Sequence, residues 1–74
     1  MEVAPGIIVD KNIKFGKPVI KGSRVPVELI LGKLAAGVAE DEICREYLVN
    51  PEDILAALNY AAGLVAEVQY RAIG

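Results

Sequence analysis

The chain has 74 residues, 54% of them hydrophobic, 24% charged and 5% aromatic, which makes it a single small domain over 1–74 and excludes a multidomain enzyme. It has no histidine and one cysteine, so His-based triads, Cys/His zinc sites and an internal disulfide are excluded. The formal charge of −2 lacks the basic excess usual in nucleic-acid binders, yet it is split: Lys11, Lys14, Lys17, Lys21 and Arg24 carry +5 with no acid among them, and Glu40, Asp41, Glu42, Glu46, Glu52 and Asp53 against Arg45 leave −5.

Residues 3–26 read as a β-hairpin and a basic loop. Ile7-Ile8-Val9 and Pro18-Val19-Ile20 are short β-branched runs, and Gly16 between them is free to take a positive φ. Two such strands are marginal in water alone, so they must lie against the helices.

Residues 27–72 read as a trihelical bundle. Pro26 suits the first turn of helix one, in which Val27, Ile30, Leu31, Leu34 and Ala35 recur at the helical period until Gly37 ends it. Helix two begins near Ala39 with Glu40, Asp41 and Glu42 in its first turn and Ile43, Cys44, Tyr47 and Leu48 on one face. With Asn50 as N-cap, Pro51 at N1 and Asp53 at the reciprocal capping position, helix three is expected from Pro51 to about Arg71, near 30 Å in length. The fold class is therefore mainly α, a three-helix helix-turn-helix core of homeodomain-like type behind a small N-terminal hairpin.

From Ile54 to Ala66 only Asn59 and Tyr60 are polar, and a helix apolar on every side is buried on every side. A chain this small cannot surround it, which points to a second chain, most simply a homodimer. Ala57 and Ala61, and Ala62 and Ala66, are small residues four apart that admit a partner helix, while Leu58, Leu64, Val65 and Val68 supply larger knobs. The same run has thirteen residues, short of the roughly 18 of a bilayer span, and no leader pattern follows Met1, so a cytoplasmic, membrane-free protein is expected.

In Gly16-Lys17-Pro18-Val19-Ile20-Lys21-Gly22-Ser23-Arg24-Val25-Pro26 three cations sit on a frame stiffened by glycine and proline, suited to an anion on a nucleic acid or on a protein. Lys14, Lys17, Lys21, Gly22, Ser23 and Arg24 are the candidate binding residues. In the alternative reading Lys17 and Lys21 are merely solvated, and Arg24 pairs with an acid of helix two or three. Tyr47, Tyr60 and Tyr70 are not interleaved with the basic run, which disfavours a base-stacking platform. Cys44 reads as a structural thiol without an activating base.

The stretch 16–27, together with Leu-Ala-Ala-Gly (34–37), Glu-Ile (42–43), Glu-Tyr (46–47) and Pro-Glu-Asp-Ile-Leu-Ala-Ala-Leu (51–58), closely resembles the domain-of-unknown-function 433 family over about residues 3–62. The resemblance implies a trihelical, homeodomain-like protein of antitoxin type that neutralises a PIN-like nuclease encoded beside it and engages operator DNA. It places Lys17, Lys21, Gly22, Ser23 and Arg24 in the family signature. Two positions depart from that pattern: Ala39 stands where relatives carry a capping Ser or Thr, and Leu48 where they carry a proline, which leaves the second turn less rigid.

A PIN-type site is an acidic metal pocket, so an inhibitor is expected to offer it a cation; Arg24, Lys21 and Arg71 are the candidates. The alternative is a helix-turn-helix transcriptional regulator without a toxin partner. There Glu52 and Asp53 would face phosphates at the start of helix three, so the Lys11–Arg24 segment would make the DNA contact. No catalytic residue, metal ligand or cofactor site is expected: Glu40, Asp41 and Glu42 lie side by side at a helix start rather than across a cleft, and no nucleophile–base pair exists without histidine.

Overall fold

The computed structural model describes residues 1–70. Three short strands, β1 (Glu2–Ala4), β2 (Ile7–Ile8) and β3 (Val19–Ile20), form an antiparallel sheet in the order β1-β2-β3, followed by helices α1 (Val27–Ala35), α2 (Glu40–Tyr47) and α3 (Pro51–Glu67). The two expected β runs pair as Ile7 with Ile20 and Ile8 with Val19. A third strand, β1, joins them through the Pro5-Gly6 turn, where Gly6 takes φ +78 and Ala56 of α3 would stand 3.2 Å from any added Cβ.

One core joins the layers. Ile7 and Ile20 of the sheet meet Val27 and Ile30 of α1, Ile43 of α2, Val49 of the second turn, and Ile54 and Ala57 of α3, all buried. Ala57, expected to face a partner, is in its own core.

Helix ends are set locally. Pro26 is the N-cap of α1 rather than its first residue, while its carbonyl accepts from Leu29. Gly37 closes α1 with φ +84, the Gly37 amide donating to Leu34 O and the Val38 amide to Lys33 O, a Schellman pair. The α3 cap is complete: Asp53 N donates to Asn50 Oδ1, and Asn50 N to Asp53 Oδ2, both at 3.0 Å. Ala39 caps α2 with no side-chain hydrogen bond. Replacing Ala39 with Asp is accordingly expected to raise stability by about 1 kcal/mol, read as a higher midpoint in urea at unchanged slope.

Two expectations need correction. Leu48 does not extend the buried face of α2; it is the left-handed C-cap, φ 56 and 90% exposed, and Val49 takes the buried position instead. A proline, fixed near φ −65°, cannot adopt this turn, so the departure at Leu48 reshapes the turn as well as loosening it. Leu48→Gly is expected to stabilise the domain by about 1 kcal/mol by removing the left-handed penalty, and Leu48→Pro to destabilise it by more than that; thermal melts of the two variants decide. The second correction concerns α3, which ends at Glu67, with Val68 extended at its C-cap. The expected continuation to Arg71 fails already at Val68; Arg71 itself, with the rest of 71–74, lies outside the described residues. At 17 residues the helix is about 26 Å long.

Candidate interaction surface

Residues 54, 57, 61, 65 and 68 share one face of a helix. Along α3 and its C-cap that stripe begins in the core, with Ile54 and Ala57 fully buried and Ala61 half-buried, and runs out into solvent at Val65 (70% exposed) and Val68 (50% exposed). The second half of α3 thus carries a core-type face past the end of the core. The radius of gyration, 13.5 Å, exceeds the roughly 11 Å of a compact 74-residue chain.

Two grooves flank the overhang. One, of about 250 Å³, lies between the basic loop, α1 and α3, lined by Pro18, Val27, Leu31, Tyr60, Ala61 and Leu64 with Lys17 and Glu28 at its rim. The other, of about 480 Å³, lies between β1 and α3, lined chiefly by Val3, Ala4, Tyr60, Gly63 and Leu64, with Glu67 as its charged residue. Leu64 and Tyr60 line both. Of the residues expected at an oligomer interface, Leu58, Ala62, Leu64, Val65 and Val68 are exposed and Ala61 is half-buried at the root of the overhang.

The basic segment is built differently from expectation. Gly22 (φ +81) turns the chain, and the Ser23 hydroxyl donates to Ile20 O at 2.8 Å while accepting from the Val25 amide at 3.0 Å, so both residues are used in holding the turn. Lys17 pairs with Glu28 at 2.5 Å and Lys21 with Glu2 at 3.4 Å, whereas Arg24 is exposed and makes no ion pair among the described residues. The alternative reading, with Arg24 paired and the two lysines solvated, is therefore reversed. Exposed pairs of this kind are worth about 0–1 kcal/mol, and their main effect is to cancel local field. Lys11, Lys14 and Arg24 are left to project positive charge.

An aromatic does sit within this run. Phe15, between Lys14 and Lys17, is 97% exposed on a left-handed turn in which Lys14, Phe15 and Gly16 have φ of 50, 58 and 84. The signal for it is in the sequence: the chain's one phenylalanine stands next to a glycine and among lysines.

Glu2 ties β1 to the basic loop. Its carboxylate accepts the Gly6 amide at 2.9 Å and faces Lys21, and this backbone hydrogen bond, with the lysine second, holds its pKa below the ordinary value. A carboxylate with a lowered folded-state pKa contributes stability above its unfolded pKa and loses it as the pH falls through the folded one. The Gly6 amide resonance is therefore expected to titrate with a midpoint below that of an ordinary glutamate, and to lose that transition in Glu2→Gln. Cys44 is half-buried, and desolvation followed by the nearby carboxylates of Glu40, Asp41, Asp53 and Glu52 pushes its thiol pKa above the ordinary value.

A family model described as a protein of unknown function, DUF433, matches residues 7–61. The chain belongs to the DUF433 family. The match covers the sheet from β2 onward, the basic segment and all three helices as far as Ala61, and stops where the overhang begins. Among solved structures, the crystal structure of Rv2018 from Mycobacterium tuberculosis is similar, 35% identical with a TM-score of 0.65, over 70% of this chain and 24% of that one. This DUF433 chain thus spans about a quarter of that protein's length. No curated protein matches it. Among the described residues no helix is long and apolar enough to cross a membrane.

Proposed function

We propose that this DUF433 chain is a non-catalytic protein-interaction module of antitoxin type. Two copies join through the overhang of α3, and the assembled pair offers its basic segment to a PIN-like nuclease. The observation that carries the reading is the uncovered second half of α3, whose face is core-like at Ile54 and Ala57 and exposed at Val65 and Val68. Burying such a face is worth roughly 25 cal/mol per Å² of apolar surface, a driving force this chain leaves unused when alone. Arg24, exposed and without an ion pair among the described residues, is the cation best placed for an acidic metal pocket. The test is co-expression with a small PIN-like nuclease, taken from the reading frame next to the gene if one is encoded there. Wild-type chain is expected to relieve growth arrest, and Leu64→Glu and Arg24→Ala to relieve it less. Arrest that persists with the wild-type chain, or relief that both variants match, would contradict the reading.

A second reading, a DNA-binding regulator of helix-turn-helix type, is favoured by Lys11, Lys14 and Arg24, which make no ion pair among the described residues. In it α2 and α3 are the motif helices joined by residues 48–50. Asp53 is committed to the α3 cap and Glu52 repels phosphate, so contact falls to the basic segments of a dimer. A mobility-shift titration at two salt concentrations separates the readings, since a phosphate contact weakens steeply with salt.

A further inference from the structure

The turn at Lys14–Gly16 is unexplained by the fold. Two consecutive non-glycine residues hold the sterically disfavoured left-handed region, and the second is a phenylalanine whose side chain is almost wholly exposed. Backbone hydrogen bonds fix the turn: Ile13 N donates to Asp10 O, Gly16 N to Ile13 O and Lys17 N to Lys14 O, while Asn12 N donates to Asp10 Oδ1. The result is an aromatic knob on a braced loop, flanked by Lys11 and Lys14, neither of which has an ion pair among the described residues. Aromatic side chains are enriched at protein interfaces, where a few well-packed anchors carry most of the binding energy. A knob of this kind calls for an apolar recess with an acid at its rim.

The chain itself contains such a recess. The groove between β1 and α3 is walled mainly by Val3, Ala4, Tyr60 and Leu64 with Asn59 as a polar neighbour, and Glu67, also in its lining, has no ion pair among the described residues. The Phe15 turn belongs to the opposite side of α3, since Lys17 and Pro18, two and three residues on, line the other groove. Only another copy can bring a Phe15 to it. Resting on the self-association read above, we propose that Phe15 of each copy seats in the β1–α3 groove of the other, with Lys14 against Glu67. A two-fold axis running along α3 lays the Phe15 side of one copy over the β1 side of its partner and makes the two contacts equivalent. The partner is thus a second copy of this chain, recognised by an aromatic ring and one cross-chain ion pair.

The test is the dimer dissociation constant by sedimentation for the full chain and its variants. Phe15→Ala is expected to weaken association at least tenfold, with the far-UV spectrum and the melting temperature at high dilution preserved because the ring lies outside the core. Phe15→Asn, whose side chain tolerates the left-handed region, is expected to keep or raise the melting temperature while weakening association as much. Lys14→Glu and Glu67→Lys are each expected to weaken it, and the double exchange to restore it to near the wild-type value. Leu64→Glu serves as the reference for the α3 surface. If Leu64→Glu disrupts the dimer while Phe15→Ala leaves it intact, the knob proposal falls and the α3 reading stands; if the wild-type chain is monomeric, both fall. A double exchange no tighter than either single variant also overturns the proposal. So does a labelled single-stranded oligonucleotide whose binding at low salt depends on Phe15 while the dimer constant does not, an outcome that would assign the turn to nucleic acid.

Discussion

Ile54→Ala is expected to leave the domain largely unfolded at room temperature, whereas Val65→Ala, eleven residues further along the same face of α3, is expected to cost the isolated chain about 0.5 kcal/mol or less. Both substitutions delete methyl groups from a β-branched residue, so local helix propensity does not separate them. Position does. Ile54 has no solvent exposure and packs with Ile7, Ile20, Ile30 and Ile43, while Val65 is 70% exposed. Removing a fully buried isoleucine side chain costs about 2–5 kcal/mol once the residual cavity is included, and a single core of this size supplies only about 3–5 kcal/mol in all. The first loss therefore consumes most of the available stability. Urea titrations of the two variants, followed by circular dichroism at a concentration low enough to favour monomer, read the difference directly. Equal destabilisation by the two would mean that the second half of α3 is covered within its own chain.

Leu64→Glu carries the second large effect, on assembly rather than folding. Leu64 is 48% exposed, lines both grooves, and lies outside the buried set, so a carboxylate there remains hydrated in the isolated chain. In a two-fold assembly the substitution enters twice, and each carboxylate must be buried without a partner. An unpaired buried charge costs several kcal/mol, and each 1.4 kcal/mol is a factor of ten, so the dissociation constant is expected to rise at least about a hundredfold. The variant should melt within a degree or two of the wild-type chain at high dilution, where both are monomeric. At high concentration the wild-type melting temperature should rise and that of Leu64→Glu should not, because association stabilises only the folded state by mass action.

The parts of this fold that could be read from the sequence are those fixed by neighbouring residues. Asn50, Pro51 and Asp53 announced the start of α3 because a capping box is closed within four positions, and Gly37 announced the end of α1 because a Schellman turn requires a positive φ. Strands β2 and β3 were visible as β-branched runs. Strand β1 was not, since Glu-Val-Ala has no pattern of its own and only Pro5-Gly6 marks the turn that brings it back to the sheet. Leu48 was misplaced because its apolar side chain fits the α2 period, and the left-handed cap that expels it depends on Val49 filling the core.

Ion pairing was likewise hidden. Lys17 finds Glu28 of α1 eleven residues away and Lys21 finds Glu2 of β1 nineteen away, pairings set by how the chain folds onto α1 and how the sheet folds on itself. The surplus apolar face of α3 was legible from composition alone, yet which of its residues are surplus was not: Ala57 went to the core and Val65 and Val68 did not. The point where the stripe leaves the core is set by how far β2, β3 and α1 reach along the helix, a property of the assembled domain. The early end of α3 at Glu67 follows from the same fact, because helices hold mainly through the faces they pack, and this face has nothing of its own chain to pack on.

The most direct measurement is the molar mass in solution by light scattering, taken over concentrations from below to well above the micromolar range for the wild-type chain and Leu64→Glu side by side. The wild-type chain is predicted to climb to at least twice its 7.9 kDa while the variant stays at 7.9 kDa throughout. A wild-type mass of 7.9 kDa at every concentration would contradict the claim that α3 is a shared surface.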